Sequence, residues 1–374
     1  MSHFLRRHAG KLASSAIITA CIVYALQSGG IKVWPTGVSF AQVHWWAVVI
    51  YTATVVVMNY YRAVRWRFLL RAMVDIPKRR LLSVSWIGFG AILLLPFRLG
   101  EFVRPYMLRS PARTSGGKTA PEVSMSMATG SVVAERVTDG LYISTVLAVA
   151  LLLVPTIQPL PDTVVGLKIS VAQVRYAGFT MLGVFATAFA VIAIFYFARG
   201  FAHRATLAVF GMISRPLGEK LAGIAEKLAD GLHFLGRPRD ALPFLLETTI
   251  YWGLNLTGMW LLARWSGIAH ADGTPATLGE ACAMIGLLSV TILIPGPPGM
   301  LGVFQAGIYA GMTMFYPTDV VTGPGPAYVF LVYGIQVAWQ LFAAGLFLVV
   351  DRGSLRALEE AEVSKEKEED APAG

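Results

Sequence analysis

Between Ile92 and Pro105 the chain reads Ile-Leu-Leu-Leu-Pro-Phe-Arg-Leu-Gly-Glu-Phe-Val-Arg-Pro, an apolar stretch that carries three charges. One charge near the middle of a bilayer costs about 2.5–3.5 kcal/mol on insertion scales, so three left in lipid would cost about 8–10 kcal/mol. Such residues persist only where they face one another, a water-filled cavity or a polar ligand. Arg98, Glu101 and Arg104 stand at i, i+3 and i+6, on one side of a helix. Pro96 and Gly100 interrupt that helix where the charges begin. Freed backbone amides with arginine beside them make a receptor for an anion such as a phosphate, and Glu101 could hold an arginine in place or bind an ammonium group. The plainer use of the same charges is an internal salt bridge that only fixes the segment. A second cluster, Glu135, Arg136 and Asp139, suits either a partner for the first or an interfacial ion pair. Glu247 and Asn255, two turns apart in a later apolar run, could line the same cavity or bind a neighbouring helix.

Composition says what must position these residues. Of 374 residues, 55% are apolar and 14% charged, against about 25% charged in a soluble domain. The mean hydropathy is +0.61, and several runs reach the 17–25 apolar residues of a bilayer-crossing helix. The fold class expected is therefore an all-α polytopic membrane bundle. The net charge of +9 is explained by basic cytoplasmic loops set against anionic lipid, not by nucleic acid. Cys21 and Cys282 lie in apolar runs without metal spacing and read as small core residues. The six histidines show no HExxH or other metal pattern, and neither GxSxG nor a P-loop occurs. No metal, cofactor or catalytic residue is expected.

Charge asymmetry orders the runs. Arg6, Arg7 and Lys11 precede the apolar run Ala13–Leu26, read as an uncleaved first span (about 12–27). A second span, about Val43–Tyr61, is followed by Arg62, Arg65, Arg67, Arg71, Lys78, Arg79 and Arg80, read as a cytoplasmic loop. The segment 81–108 breaks at Pro96 and is basic on both flanks, so it is expected to enter from the cytoplasm and return. Val123–Val154 is long for one upright span, and its half from Gly140 is expected to cross outward. Tyr176–Phe197 returns, and residues 201–240 carry leucines at helical spacing beside charges, an amphipathic segment at the cytoplasmic surface. Ala241–Ala263 crosses again. The segment 281–315 breaks at Pro295-Gly296-Pro297-Pro298-Gly299 and is expected to open to the outside. Ala327–Val350 is the last span, and 351–374 a charged tail expected to be disordered. One domain, 1–350, and six full crossings result, with both termini cytoplasmic in the cell membrane. Two broken hairpins entering from opposite faces would form an inverted repeat, a pointer to a transporter site near the midplane.

The run Leu95–Leu108 (LPFRLGEFVRPYML), Glu135–Asp139 (ERVTD) and Ile294–Gly307 (IPGPPGMLGVFQAG) resemble the lysylphosphatidylglycerol synthase transmembrane family, over about residues 10–350. The resemblance implies a lipid-moving membrane module like the flippase domain of the multiple peptide resistance factor. By resemblance, Pro96, Arg98, Gly100, Glu101, Arg104, Glu135, Arg136, Asp139, Pro295, Pro298, Gly299, Gly302 and Phe304 match signature positions. Gln305 stands where relatives commonly carry an acidic residue. The short tail leaves no room for an aminoacyl-transfer domain, so lysyl-lipid synthesis is not expected. The function expected is transfer of a lipid with a polar, phosphate-containing headgroup between leaflets. A scaffold for a lipid-modifying enzyme and an enzyme acting on a lipid phosphate or glycosyl carrier are the alternatives. Expected partners are the lipid itself and anionic lipid at the basic loops, with a second copy or a lipid-synthesising enzyme as further candidates.

Overall fold

A computed structural model describes residues 34–71, 74–109, 123–165, 169–210, 212, 214–229, 236–293 and 297–350, without the side chains of 96–98, 199, 217 and 224–229. The expected first span at 12–27, the loop around 111–121, Pro295 and the tail 351–374 lie outside the described residues. The described chain is a helical bundle without strands. Its helices are α1 (Trp45–Val64), α2 (Trp66–Arg71), α3 (Lys78–Leu94), α4 (Val103–Arg109), α5 (Met125–Leu153), α6 (Val171–Phe197), α7 (Arg199–Phe210), α8 (Arg215–Ala229), α9 (Pro238–Arg264), α10 (Leu278–Thr291), α11 (Val303–Phe315), α12 (Thr318–Thr322) and α13 (Gly325–Val350).

Among the described residues, four helical stretches are long and apolar enough to cross a membrane: Trp45–Arg71, Met125–Leu153, Val171–Phe197 and Gly325–Val350. Helix α9 has the length too, but Arg239, Asp240 and Glu247 weaken its apolar character. Leu152, Val184, Val191, Leu246, Phe342 and Val349 point outward and exposed. Water would not tolerate so continuous an apolar exterior; lipid requires it.

Two expectations are corrected. Residues 62–71 are not a loop: the chain stays helical through Val64, passes Arg65 and continues as α2, with Arg65 fully buried. Residues 125–153 form one unbroken helix, capped at Ser124, whose hydroxyl accepts the Met127 N–H. At 1.5 Å per residue its 29 residues span about 43 Å, so its length extends beyond the 30 Å hydrocarbon core rather than being broken. The amphipathic segment is two helices, α7 and α8, of which α8 packs on α5 and α6.

Both broken segments reverse direction. Proline disfavours a helical residue before it; Leu95 is accordingly extended (φ −93°, ψ 137°), ending α3. A 3₁₀ turn, Pro96–Phe102, then carries the chain back into α4. Gly100 lies directly on the backbone of Ala91 and Ile92, with which a Cβ would collide. In the second hairpin Gly307 rests on Leu288 and Gly311 on Met284, an antiparallel register between α10 and α11. Helix α11 starts at Gly302 (φ 92°), whose N–H donates to Gln305 Oε1 at 2.6 Å. Gln305 is thus a buried helix cap. The two breaks touch each other, and Met300 of the second packs beside Trp86 and Phe89 of the first hairpin.

Gly100→Val should wedge the first hairpin open against α3. Overpacking of about 3 kcal/mol predicts a melting temperature roughly 6–12 °C lower for detergent-solubilised protein, measured by differential scanning fluorimetry.

Candidate functional site

Where the hairpins meet α1, α5 and α9, the charged residues gather. The Arg65 guanidinium forms a two-pronged pair with Asp139, Nη1 to Oδ1 and Nη2 to Oδ2, each at 2.6 Å. It also donates to Thr248 Oγ1 at 3.0 Å and to Glu135 Oε1 at 3.3 Å. The other Glu135 oxygen lies 3.0 Å from Arg104 Nη1. Arg65, Arg104 and Glu135 are fully buried, and Trp252 donates its indole N–H to Asp139 at 3.3 Å. The flat guanidinium faces are covered by rings: Arg104 lies 4.1 Å from the centre of Trp66, and Arg65 lies 4.8 Å from that of Tyr251. Arginine suits this role because its fork matches a carboxylate and its face tolerates an aromatic.

Helix position explains the convergence. Glu135 and Asp139 are one turn apart on α5, so both face α1 and α2. Arg65 sits at the joint between α1 and α2, where the α1 cap turns it inward. Arg104 enters over Gly88 of α3, where a Cβ would collide with the Arg104 side chain. A larger residue at 88 would evict the arginine.

Beside this layer is a cavity of about 490 Å³, within the 300–1,000 Å³ range of small-molecule sites. Both breaks line it, through Glu101 and Phe102 and through Gly299 and Met300. Its polar lining includes Arg62, Arg136, Glu101, Asp139, Asn255, Ser289, Gln336 and Gln340; the apolar lining includes Ile143, Met181, Phe185, Leu288, Ile292 and Phe304. Arg136 lies 3.5 Å from Glu101 and 3.9 Å from Asp139. Arg62 has no ion-pair partner among the described residues; its guanidinium lies 4.1 Å from the Phe89 ring centre, and its buried Nε lacks a hydrogen bond. Buried Asn255 Oδ1 is likewise unpartnered. Among the described side chains here, Arg62, Arg65, Arg104 and Arg136 against Glu101, Glu135 and Asp139 leave one positive charge in excess.

The expected site residues therefore divide. Glu101, Arg136 and Asp139 reach the cavity, as does Gly299 of the second break. Arg104 and Glu135 do not: they are sealed in the ionic layer, because α4 turns Arg104 away from Glu101 and towards α5. The charges at 101 and 104 thus do not share one helical face; the 3₁₀ turn changes the angular step between them. Arg98 lies within that turn, and its side chain is outside the described residues. So are the side chain of Pro96 and, in the second break, Pro295. Gly100 serves chain reversal, Pro298 opens the short turn of the second break, and Gly302 starts α11. Glu247 pairs with Arg67 at 2.7 Å instead of lining the cavity, whereas Asn255 does line it. Sequence reasoning missed Arg62 and Arg65, grouped with the basic loop. Their spacing of three on a helix continuing from an apolar span was the available signal.

Removing one member of a buried ion pair costs about 3–5 kcal/mol. Arg65→Met should therefore leave little folded protein in size-exclusion profiles. Arg65→Lys should restore only part of it, since an ammonium cannot bridge both Asp139 oxygens. Removing both Arg104 and Glu135 as Arg104→Met/Glu135→Leu should destabilise less than Glu135→Leu alone.

The family model described as lysylphosphatidylglycerol synthase TM region matches residues 11–345. No curated protein and no solved structure matches the chain.

Proposed function

The chain belongs to the lysylphosphatidylglycerol synthase transmembrane-region family, and from that membership we propose that it carries a phosphate-containing lipid between the leaflets of a membrane. That it is a multi-pass, lipid-related membrane protein follows from the family and the apolar helices; the transfer activity is the proposal. The observation that carries it is the cavity, whose lining joins Arg62, without an ion-pair partner among the described residues, to a large apolar surface. A phosphodiester is a single negative charge with acceptor oxygens, which suits the excess of one positive charge among the described side chains of the ionic layer and cavity together, and the Arg62 guanidinium beside it. The acyl chains would follow the apolar lining past Phe185 and Met181 towards the lipid-facing side of α6. Asn255 would accept a hydrogen bond from the headgroup.

In this reading the two hairpins enter the membrane from opposite faces as halves of an inverted repeat. Broken helices tolerate their unpaired backbone groups because these border a polar cavity. Rocking of the halves about the touching breaks would expose the headgroup to alternate leaflets, down its gradient or coupled to an ion. The basic flanks of the first hairpin support a cytoplasmic side for Lys78 and Arg215. Engineered cysteines near Pro159 and Thr322 should accept an impermeant thiol reagent from outside intact cells, and those near Lys78 and Arg215 should not. The reverse pattern would invert the assignment.

The decisive test uses purified protein in liposomes containing a fluorescent phosphatidylglycerol, with outer-leaflet label bleached by dithionite. Wild-type protein should expose inner-leaflet label to bleaching. Arg62→Gln, which removes a cation with no carboxylate partner among the described residues, should slow exchange by at least about tenfold, the equivalent of one lost charge-assisted contact of roughly 1.4 kcal/mol or more. Its melting temperature should stay near wild type. Equal exchange in protein-free and wild-type liposomes would end the transport reading and favour a scaffold.

A further inference from the structure

At the end of the second hairpin away from its break, two side chains and one backbone N–H meet on one carboxylate. Glu280 stands in the first turn of α10 and is 3% exposed. Its Oε2 accepts the Thr277 N–H at 2.8 Å and the Tyr316 hydroxyl at 2.7 Å. Its Oε1 lies 2.9 Å from His270 Nε2. Tyr316 directly follows α11, and its ring centre is 5.2 Å from that of His270. His270 belongs to the turn that joins α9 to α10, held by the His270 N–H to Thr274 carbonyl bond at 2.8 Å and by the Ala269–Pro275 bridge. One carboxylate therefore ties the start of α10, the end of α11 and the preceding turn.

The charge balance of this tie depends on a proton. Among the described residues no lysine or arginine pairs with Glu280, so its only cation there is His270, and only when the imidazole is protonated. Imidazole is the side chain whose ordinary titration falls between pH 5 and 8. Among the described residues, the groups facing His270 are Glu280 from α10, Tyr316 from the end of α11 and Asp272 on its own turn. Asp272 is exposed, and hydrogen bonds from the Thr274 hydroxyl and N–H hold its carboxyl below the usual range, so it stays charged across that interval and contributes no step of its own. The His270 side chain is 26% exposed, which gives protons access from solvent.

We propose that His270 and Glu280 form a proton-binding site that clamps the open end of the second hairpin when occupied and loosens it when empty. The sign follows from the pairing. With the proton bound the imidazole is a full cation against the Glu280 carboxylate, whereas the neutral ring leaves that carboxylate without a charged partner among the described residues, so the clamp is tighter with the proton bound. The same helices reach the cavity at their other ends through Ser289, Ile292 and Phe304. Loosening of the base thus gives the hairpin freedom to move its break, and the site gives external or internal pH a hold on the cavity. The clamp stands independently of what the cavity carries.

Hydrogen–deuterium exchange of the purified protein in nanodiscs tests it, read on peptides covering 266–282 and 309–320 and corrected for the pH dependence of chemical exchange. In wild type both peptides should open measurably faster at about pH 8 than at about pH 5.5, the interval in which imidazoles ordinarily change charge. His270→Gln should exchange at the fast rate at both pH values, and Asp272→Asn should keep the wild-type step. A wild-type protein without the step, or a His270→Gln protein that retains it, overturns the proposal. Should His270→Gln fail to fold, the wild-type series decides alone.

Discussion

The bundle is organised around a charge that cannot be left alone. Arg65 is fully buried, and three of its hydrogen bonds go to Asp139 and Thr248 at 3.0 Å or less. In an apolar interior, an isolated guanidinium is costly, and half of a broken pair is more costly than no pair. The position of Arg65 therefore dictates where α5 and α9 stand, because only they bring Asp139, Glu135 and Thr248 to it. Glu135 extends the constraint to Arg104, and through Arg104 to the first hairpin. Four separate parts of the chain are placed by one ionic layer.

That layer also separates two apolar cores. On one side pack the first half of α1 with the later part of α5, α9, α10, α11 and α13. On the other pack α2, α3, α4 and the first half of α5 with the ends of α6 and α7. Apolar contacts in a membrane discriminate weakly between partners, since lipid tails are as apolar as leucine. A paired layer of charges discriminates strongly, because any shift of one helix by a turn strands a buried carboxylate.

The cavity is a consequence of the broken helices beside this layer. A helix hides its own polar backbone; a break at Leu95–Pro96 or at Pro298–Gly302 does not. Bringing the two breaks together concentrates their polar groups in one place, next to charges that are already there. Arg136 borders that space beside Glu101, 3.5 Å away, and Arg62 borders it while Glu135 and Asp139 are engaged by Arg65 and Arg104.

The membrane class, the helical fold and the two points of chain reversal were legible in the sequence, for local reasons. Apolar run length reports on burial in lipid, and Pro96, Gly100 and Gly302 act on their own backbone whatever surrounds them. The charged clusters at 101–104 and 135–139 were legible as well, because a charge in an apolar run must be matched. Which charge matches which was not. Arg62 and Arg65 read as members of a basic loop, since hydropathy falls there, and only the continuation of the helix into α2 carries them into the interior. Arg104 and Glu101, three residues apart, part company because a 3₁₀ turn joined to an α-helix changes the angle between them. Pairings such as Arg65 with Asp139 and Tyr316 with Glu280 link residues tens of positions apart. Tertiary packing alone decides them, because the energy of an ion pair or a hydrogen bond depends on distance in space and the sequence records only distance along the chain.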